Sequence, residues 1–184
     1  MEYRPLPEGP FHVIYADPPW QYREKMMLGS TETGPARKHY PTISTLDLMQ
    51  LPVREQLAQD ALLFLWSTGP MMPDAIQVGK AWGFDYKTVA FVWNKLHSTP
   101  GHYTLPQTEF CLVFKHGKIP QPRGVRNVRQ LVEMISTKHS RKPWQIREDI
   151  ESMFPHHRRV ELFARDSHPG WTSWGLEVAD AQEA

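Results

Sequence analysis

Five short runs of apolar residues recur along the chain and predict buried β-strands. Each run is rich in β-branched or aromatic side chains, and nearly unbroken hydrophobicity over a short stretch is typical of strands that are covered on both faces. The runs occupy Phe11–Ala16 and residues 61–66, 88–93, 110–114 and 160–164.

Helical patterns lie between these runs, at residues 46–59 with a break at Pro52, at residues 72–82 and at residues 143–154. Strands that alternate with helices predict an α/β domain with a mainly parallel sheet whose two faces are both covered. A length of 184 residues is typical of one hydrophobic core, so we expect a single domain over residues 1–184.

Three long segments do not fit the sheet: residues 22–40, 96–106 and 116–138. Loops of this length in a compact domain are usually functional. In an open α/β sheet the ligand crevice lies beyond the carboxyl ends of the strands. The residues that follow each strand are therefore the first candidates for a site, and Asn94 and Lys95, directly after the third run, are either substrate contacts or an ordinary polar strand end.

The composition narrows the class of protein. A single cysteine excludes an internal disulfide and a cysteine-rich zinc site, and it favours a cytoplasmic protein. The longest apolar stretch, residues 61–66, is too short to cross a membrane, and the first residues carry no apolar leader segment. The nine histidines lack metal-ligand spacing, so we expect no metal. We expect Cys111, Trp82, Trp93 and Trp144 to pack in the core.

Positive charge is concentrated in one part of a chain whose formal net charge is only +1. Residues 115–147 contain nine cations and a single anion, Glu133, which leaves the rest of the chain acidic. Such a segment is typical of a surface that binds a polyanion. Arg123, Arg126 and Arg129, spaced three apart, are the best candidates for phosphate contacts, and a solvated loop is the alternative.

The first strand is followed at once by Asp17-Pro18-Pro19-Trp20. The two prolines fix two φ angles and remove two N–H donors, which leaves a rigid edge of hydrogen-bond acceptors beside an aromatic face. This edge suits a planar group that carries an NH2, because side-chain and main-chain oxygens can accept its hydrogens while the ring stacks on the indole. The alternative is a proline-rich turn with a packed tryptophan.

This motif resembles the D-P-P-W signature of amino-methyltransferases that act on adenine N6, and the chain from about Val13 to Glu177 is similar to the MT-A branch of that family. Further blocks of the family follow in order: Tyr40-Pro41-Thr42, Leu63-Phe64-Leu65-Trp66, Gly101-His102-Tyr103, Glu109-Phe110-Cys111-Leu112-Val113, His139-Ser140-Arg141-Lys142-Pro143 and Glu161-Leu162-Phe163-Ala164-Arg165.

The resemblance implies a single-domain, Rossmann-like fold with S-adenosylmethionine as its cofactor. Glu161 follows the D-P-P-W motif by more than a hundred residues, whereas the usual order of such domains places the cofactor strand first. The resemblance therefore implies a circularly permuted chain. A glycine-rich dinucleotide fingerprint is absent from the sequence.

The resemblance also implies roles for individual residues. Asp17, Pro18, Pro19 and Trp20 would form the catalytic edge, and Tyr40 would contact the substrate. The implied cofactor contacts are Asp17, Lys142 at the methionine carboxylate, Glu161 at the ribose hydroxyls, Arg165 beside the ribose, and Ser167, His168 and Glu177 elsewhere on the nucleoside. Leu176 stands where the family pattern has asparagine.

Together these features predict an enzyme that methylates adenine N6 in DNA. The same reaction on RNA is one alternative, because the acceptor edge does not contact the sugar 2′-hydroxyl. A non-catalytic nucleic-acid-binding subunit is a second, although such subunits usually lose the acceptor edge. Methylation of a protein amide is disfavoured, since that branch resembles an N-P-P-Y edge. We expect nucleic acid as the partner, no membrane, and a monomer or homodimer.

Overall fold

The computed structural model describes residues 3–22, 42–101, 103–135 and 141–178. Their strands form one sheet in the order β5-β3-β4-β2-β1-β6-β7. The strands in chain order are β1 Phe11–Ala16, β2 Leu57–Ser67, β3 Asp85–Asn94, β4 Thr108–His116, β5 Leu131–Glu133, β6 Arg159–Leu162 and β7 Thr172–Trp174.

Strand direction decides which residues meet at the edges of the sheet. β1 pairs in parallel with β2 and with β6, β6 with β7, and β3 with β5. Only β4 runs against its neighbours β2 and β3 in this sheet of described residues. The amino end of β4 therefore lies at the edge where the other strands have their carboxyl ends.

The helices within the described part of the chain are α1 Thr45–Gln50, α2 Met72–Ala81 and α3 Trp144–Met153, with 3-10 turns at Val53–Gln56 and Gly69–Met71. Ser44 starts α1, where its Oγ accepts a hydrogen bond of 3.1 Å from the backbone N–H of Asp47. None of these helices combines the length and apolar character needed to cross a membrane.

Alternate residues of the central strands build two core layers. Ile14 of β1 and Leu63 of β2 face α1 and α2, while Tyr15 and Phe64 face α3. This alternation follows from the two-residue period of a strand, because neighbouring side chains point to opposite faces. Both faces of the sheet are covered, as the runs of apolar residues predict.

The main elements confirm the α/β prediction with a mainly parallel sheet. The predicted helix at residues 46–59 is too long, because α1 ends at Gln50 and β2 already begins at Leu57. The strands β5 and β7, three residues each, carry too short a pattern to be predicted. The circular permutation and the single domain over residues 1–184 stay predictions.

The core assignments hold at three positions and fail at one. Trp82, Trp93 and Cys111 are fully buried. Trp144 is 58% exposed, so its expected place in the core is wrong. Trp144 is the first residue of α3, and the helix buries Ile146 and Ile150 instead. A residue at the first turn of a helix can therefore match the apolar pattern and still point away from the sheet.

Close packing between α2 and β4 gives a test of this arrangement. A Cβ added at Gly79 would clash with the buried ring of Phe114. Because the ring is fully buried and must shift to make room, we expect Gly79→Ala to lower the free energy of unfolding by about 1–3 kcal/mol, as measured by urea denaturation.

Gly69→Ala is the matched control, since a Cβ there would meet no atom within 4 Å. We expect that variant to change stability by less than about 1 kcal/mol. Equal stabilities for the two variants would contradict the packing of α2 on β4.

Candidate active site

The candidate active site lies at the edge where β1, β2, β3 and β6 have their carboxyl ends. Asp17 follows β1, Lys95 follows β3, and Glu109 is the second residue of the antiparallel strand β4. Lys142 approaches from a separate segment, two residues before α3. The topology thus brings together side chains that are far apart in sequence.

The backbone after β1 is held on both sides. The N–H of Asp17 donates to the carbonyl of Leu162 at 3.5 Å, and the N–H of Ile43 donates to the carbonyl of Pro19 at 2.9 Å. The N–H of Trp20 donates to the carbonyl of Pro18 at 2.8 Å. The Pro18 oxygen therefore has one of its two lone pairs in use and one left to accept.

Trp20 is packed more tightly than a simple stacking surface requires. Its ring is buried in the core layer that faces α1 and α2, and its Nε1 donates to the carbonyl of Trp66 at 3.0 Å. This contact anchors the D-P-P-W segment to the end of β2. The stacking role of Trp20 stays a prediction, beside a structural role that the geometry makes plain.

Lys142 lies between two carboxylates. Its Nζ donates to Oδ2 of Asp17 at 2.7 Å and lies 3.2 Å from Oε2 of Glu109, while Lys95 Nζ lies 3.3 Å from Oε1 of Glu109. The side chains of Lys142 and Glu109 are only 12% and 9% exposed. The result is a largely buried row of alternating charges, Asp17–Lys142–Glu109–Lys95.

The carboxylates determine the charge of Lys142. Burial is the largest single influence and lowers the pKa of Lys142, but the charges and hydrogen bonds of Asp17 and Glu109 together outweigh it, and the pKa is raised. The Nζ also lies 5.4 Å from the ring centroid of Trp66, within range of a cation–π contact. Lys142 is therefore a cation at neutral pH.

The aromatic wall beside this row is itself fixed. Trp66 Nε1 donates to the hydroxyl of Tyr15 at 2.8 Å. Burial raises the pKa of Tyr15 well above its ordinary value, so the hydroxyl stays neutral and can accept this bond. The ring of Trp66 that faces Lys142 is thereby held in one orientation.

A second ion pair lies on the neighbouring strand. Arg147 of α3 donates through Nε to Oε2 of Glu161 at 2.8 Å and through Nη2 to Oε1 at 3.0 Å. The two side chains are 19% and 11% exposed. Glu161 is therefore not a solvent-facing strand residue, and both of its oxygens accept from one guanidinium group.

The remaining predicted cofactor residues follow β6 in the chain. Arg165 Nε lies 3.9 Å from Oε1 of Glu177. Ser167 is exposed and His168 is half-buried. No cofactor role is tested by these positions, so the roles of all four residues stay predictions.

The predicted substrate residues differ in their surroundings. Asn94 Nδ2 donates to Oε1 of Glu133 at 2.9 Å, and Lys95 Nζ donates to Oε1 of Glu109 at 3.3 Å. Arg126 and Arg129 are exposed, whereas the half-buried Arg123 places its guanidinium 5.5 Å from the centroid of the Phe154 ring. Tyr40 lies outside the described residues.

The sequence patterns predict no role for Glu109 or Arg147. Glu109 could have been found from its position at the start of an apolar strand, had the strand been known to run antiparallel. In the sequence, Arg147 is only one cation of the basic segment. The sequence holds no sign that it pairs with Glu161, fourteen positions away.

Histidine, cysteine, aspartate and glutamate side chains in the described ranges do not form a group of three that could hold a metal ion. The buried charges at the sheet edge are instead neutralised by lysine and arginine. The site as described is thus organised by ion pairs and hydrogen bonds.

Comparison with known proteins gives a consistent result. The sequence profile of the family described as MT-A70 matches residues 11–177. The protein named Type II methyltransferase M.MunI, from Mycoplasma sp, is 49% identical over 95% of this chain and 81% of its own length.

Eukaryotic relatives match over a smaller share of their length. N(6)-adenosine-methyltransferase MT-A70-like of Arabidopsis thaliana is 31% identical over 92% of this chain and 24% of its own length. The N(6)-adenosine-methyltransferase catalytic subunit METTL3 of Homo sapiens is 29% identical over 92% of this chain and 28% of its own. The chain therefore spans about a quarter of these two relatives.

The row of buried charges predicts a specific stability difference. Glu109→Gln removes the carboxylate that lies between Lys95 and Lys142, so two largely buried ammonium groups lose a partner. We expect the free energy of unfolding to fall by about 3 kcal/mol or more in urea denaturation, since leaving a buried charge uncompensated is costly.

Asp85→Asn is the matched control, because it breaks the exposed pair of Asp85 with Lys87 on the same sheet. That change should cost less than about 1 kcal/mol. If the two variants were equally stable, the row of charges at the site would not be the tightly held network described.

Proposed function

Because this chain belongs to the MT-A70 family, we propose that it transfers a methyl group from S-adenosylmethionine to the N6 amino group of adenine in DNA. The chain is an enzyme that acts on adenine N6, and S-adenosylmethionine is its methyl donor. The single observation that supports the catalytic proposal most directly is the fixed carboxylate of Asp17, held by Lys142 at the carboxyl edge of the sheet.

The choice of DNA rests on the bacterial relative. A Type II methyltransferase that is similar over 95% of this chain and 81% of its own length favours DNA over RNA. The eukaryotic adenosine methyltransferases match through only about a quarter of their length, so their other segments have no counterpart in this alignment. RNA is retained as an outcome of the test below, and the oligomeric state, monomer or homodimer, stays a prediction.

The side chains at the edge have the donors and acceptors that the cofactor needs. An ammonium group has three N–H donors, and Lys142 uses two of them on Asp17 and Glu109, so one is left for the methionine carboxylate. The Glu161 carboxylate has about four lone-pair sites, of which Arg147 takes two. The other two can accept from ribose hydroxyls, as the family pattern implies.

When bound, S-adenosylmethionine supplies the methyl group. The work of the protein is to make the adenine amine a better nucleophile and to hold it in line. The lone pair of that amine is conjugated into the ring, so accepting its two hydrogens raises the electron density on nitrogen. Oδ1 of Asp17 and the second lone pair of the Pro18 carbonyl are the proposed acceptors.

Most of the rate enhancement in this proposal comes from holding the amine and the methyl donor in position and from the charges placed around them. Lys142 prevents the Asp17 carboxylate from turning away, because it binds Oδ2 and leaves Oδ1 as the acceptor for substrate. No covalent intermediate with the enzyme is required. An adenine in a duplex must leave the base stack to reach this edge.

The nucleic acid is proposed to lie on the basic segment of residues 115–147. Arg126 and Arg129 are exposed and so can reach phosphates, whereas Arg147 is already paired with Glu161 and Lys142 with Asp17 and Glu109. Arg123 is half-buried against Phe154, which gives it a packing role besides any contact with phosphate. The phosphate-binding proposal therefore depends mainly on Arg126 and Arg129.

Asp17→Ala tests the catalytic edge. We expect methyl transfer to an adenine-containing DNA duplex to fall by about a hundredfold or more, because the acceptor that orients the amine is lost. Affinity for S-adenosylmethionine, measured by calorimetry, should change far less. The same assay with RNA of equal sequence asks which nucleic acid is the substrate.

Asp85→Asn serves as the control for this variant, since its exposed carboxylate lies outside the site. Near-normal transfer by Asp17→Ala would refute the mechanism. Transfer to RNA but not to DNA would leave the mechanism in place and overturn the choice of substrate.

The basic segment predicts how binding responds to salt. With three to five phosphate contacts, log K for DNA should fall with log salt at a slope of roughly −3 to −4.5. Changing Arg126 and Arg129 to Gln should weaken binding to all sequences and reduce the steepness of the slope by about 1.8. Fluorescence anisotropy across a salt series measures both effects.

Lys80→Gln combined with Lys87→Gln removes the same charge from outside the segment and should leave the slope unchanged. A parent slope near zero, or equal slopes for the two double variants, would show that residues 115–147 do not bind phosphates.

A further inference from the structure

The ion pair of Arg147 with Glu161 differs from an ordinary surface pair. It is bidentate, with both N–O distances at or below 3.0 Å, and both side chains are largely buried. Planar guanidinium and carboxylate groups that meet in this way fix each other's orientation as well as their position. The pair therefore holds the Glu161 side chain in one plane.

Stability alone is a weak reason for such a pair. Removing two charges from water costs about as much as their attraction returns, and apolar residues often do as well. Glu161 is the third residue of β6 and lies opposite Tyr15 of β1, one position from the carboxyl end of each strand. The pair is thus located at the edge of the sheet that carries the candidate active site.

Helix α3 connects the two ion pairs of the site. Lys142 just before the helix binds Asp17 at the end of β1, and Arg147 within it binds Glu161 on the adjacent strand β6. The buried residues Ile146 and Ile150 fix this helix on the sheet. The segment from Lys142 to Arg147 therefore contacts two carboxylates at the ends of neighbouring strands.

We propose that Arg147 is a positioning residue that orients Glu161 to accept hydrogen bonds from the two ribose hydroxyls of S-adenosylmethionine. This inference rests on the proposed function, because it needs a cofactor that carries a ribose. Arg147 uses one lone pair on each carboxylate oxygen, which leaves one lone pair on each oxygen. Two adjacent hydroxyls match two acceptors that are held in a fixed plane.

This role also removes Arg147 from the set of cations that could bind nucleic acid. Two of its five N–H donors, one on Nε and one on Nη2, are used on Glu161, and its side chain is mostly buried. Loss of Arg147 should therefore affect the cofactor and leave phosphate binding unchanged. This separates it from Arg126 and Arg129, for which the opposite is expected.

The test measures binding of S-adenosylhomocysteine, the product form of the cofactor, by calorimetry with the whole chain. We expect Arg147→Met to weaken binding by about tenfold, by analogy with the loss when the outer partner of a metal ligand is removed. Arg147→Lys keeps the positive charge but cannot form the two parallel hydrogen bonds of the guanidinium group, so it should retain only part of the affinity. Lys80→Met, on α2 at the opposite face, should bind like the parent.

A double-mutant cycle asks whether Arg147 acts through Glu161. If it does, adding Arg147→Met to Glu161→Gln should cause little further loss of affinity. A 2′-deoxyribose analogue should show the same pattern, since the parent should prefer the intact ribose and Arg147→Met should lose most of that preference. In steady-state assays, KM for S-adenosylmethionine should rise while KM for DNA is unchanged.

The possible failures can be told apart. Parent-like binding by Arg147→Met, losses that add in the cycle, or a lower melting temperature without loss of affinity would each overturn the positioning role alone. Absence of any S-adenosylhomocysteine binding by the parent would overturn the proposed function and this inference with it. Binding with methylation of RNA but not of DNA would overturn only the choice of substrate, and binding without methylation of either would overturn the proposed methyl transfer.

Discussion

A lysine ammonium that is withdrawn from water must be paired with carboxylates, and this requirement organises the active edge of the sheet. Lys142 satisfies it with Asp17 and Glu109, which come from strands of opposite direction. Because β4 is antiparallel, its first residues reach the edge at which β1 ends. Had all strands been parallel, Glu109 would lie at the far edge, and Lys142 would have Asp17 as its only carboxylate in this row.

Much of the fold follows from local patterns. β1 and α2 were predicted within a residue of their observed bounds, because an unbroken apolar run and a helical period of sufficient length each leave few alternatives. Where β2 begins could not be predicted, since its first residues, Leu57 to Asp60, include polar side chains that also fit a helix. Short edge strands such as β7 are formed by pairing with a neighbour and leave little trace in the sequence.

The part of the candidate site that forms a local sequence motif could be predicted. The part that depends on strand direction, or on contacts between residues far apart in the sequence, could not. Asp17-Pro18-Pro19-Trp20 is such a motif, and its position after β1 was confirmed. Lys142 was found only through the resemblance, and its pairing with Asp17 follows from tertiary structure. Trp144 was wrongly predicted to be buried, because an apolar side chain at the start of a helix does not indicate which way it points.

The placement of β1 between β2 and β6 has a consequence for the order in which the protein can fold during synthesis. One neighbour of β1 is β2, but the other, β6, is made more than a hundred residues later, when Arg159 can pair with Val13. Until then one edge of an apolar strand is open to pairing with other chains. The chain must therefore be synthesised as far as β6 before this edge is protected.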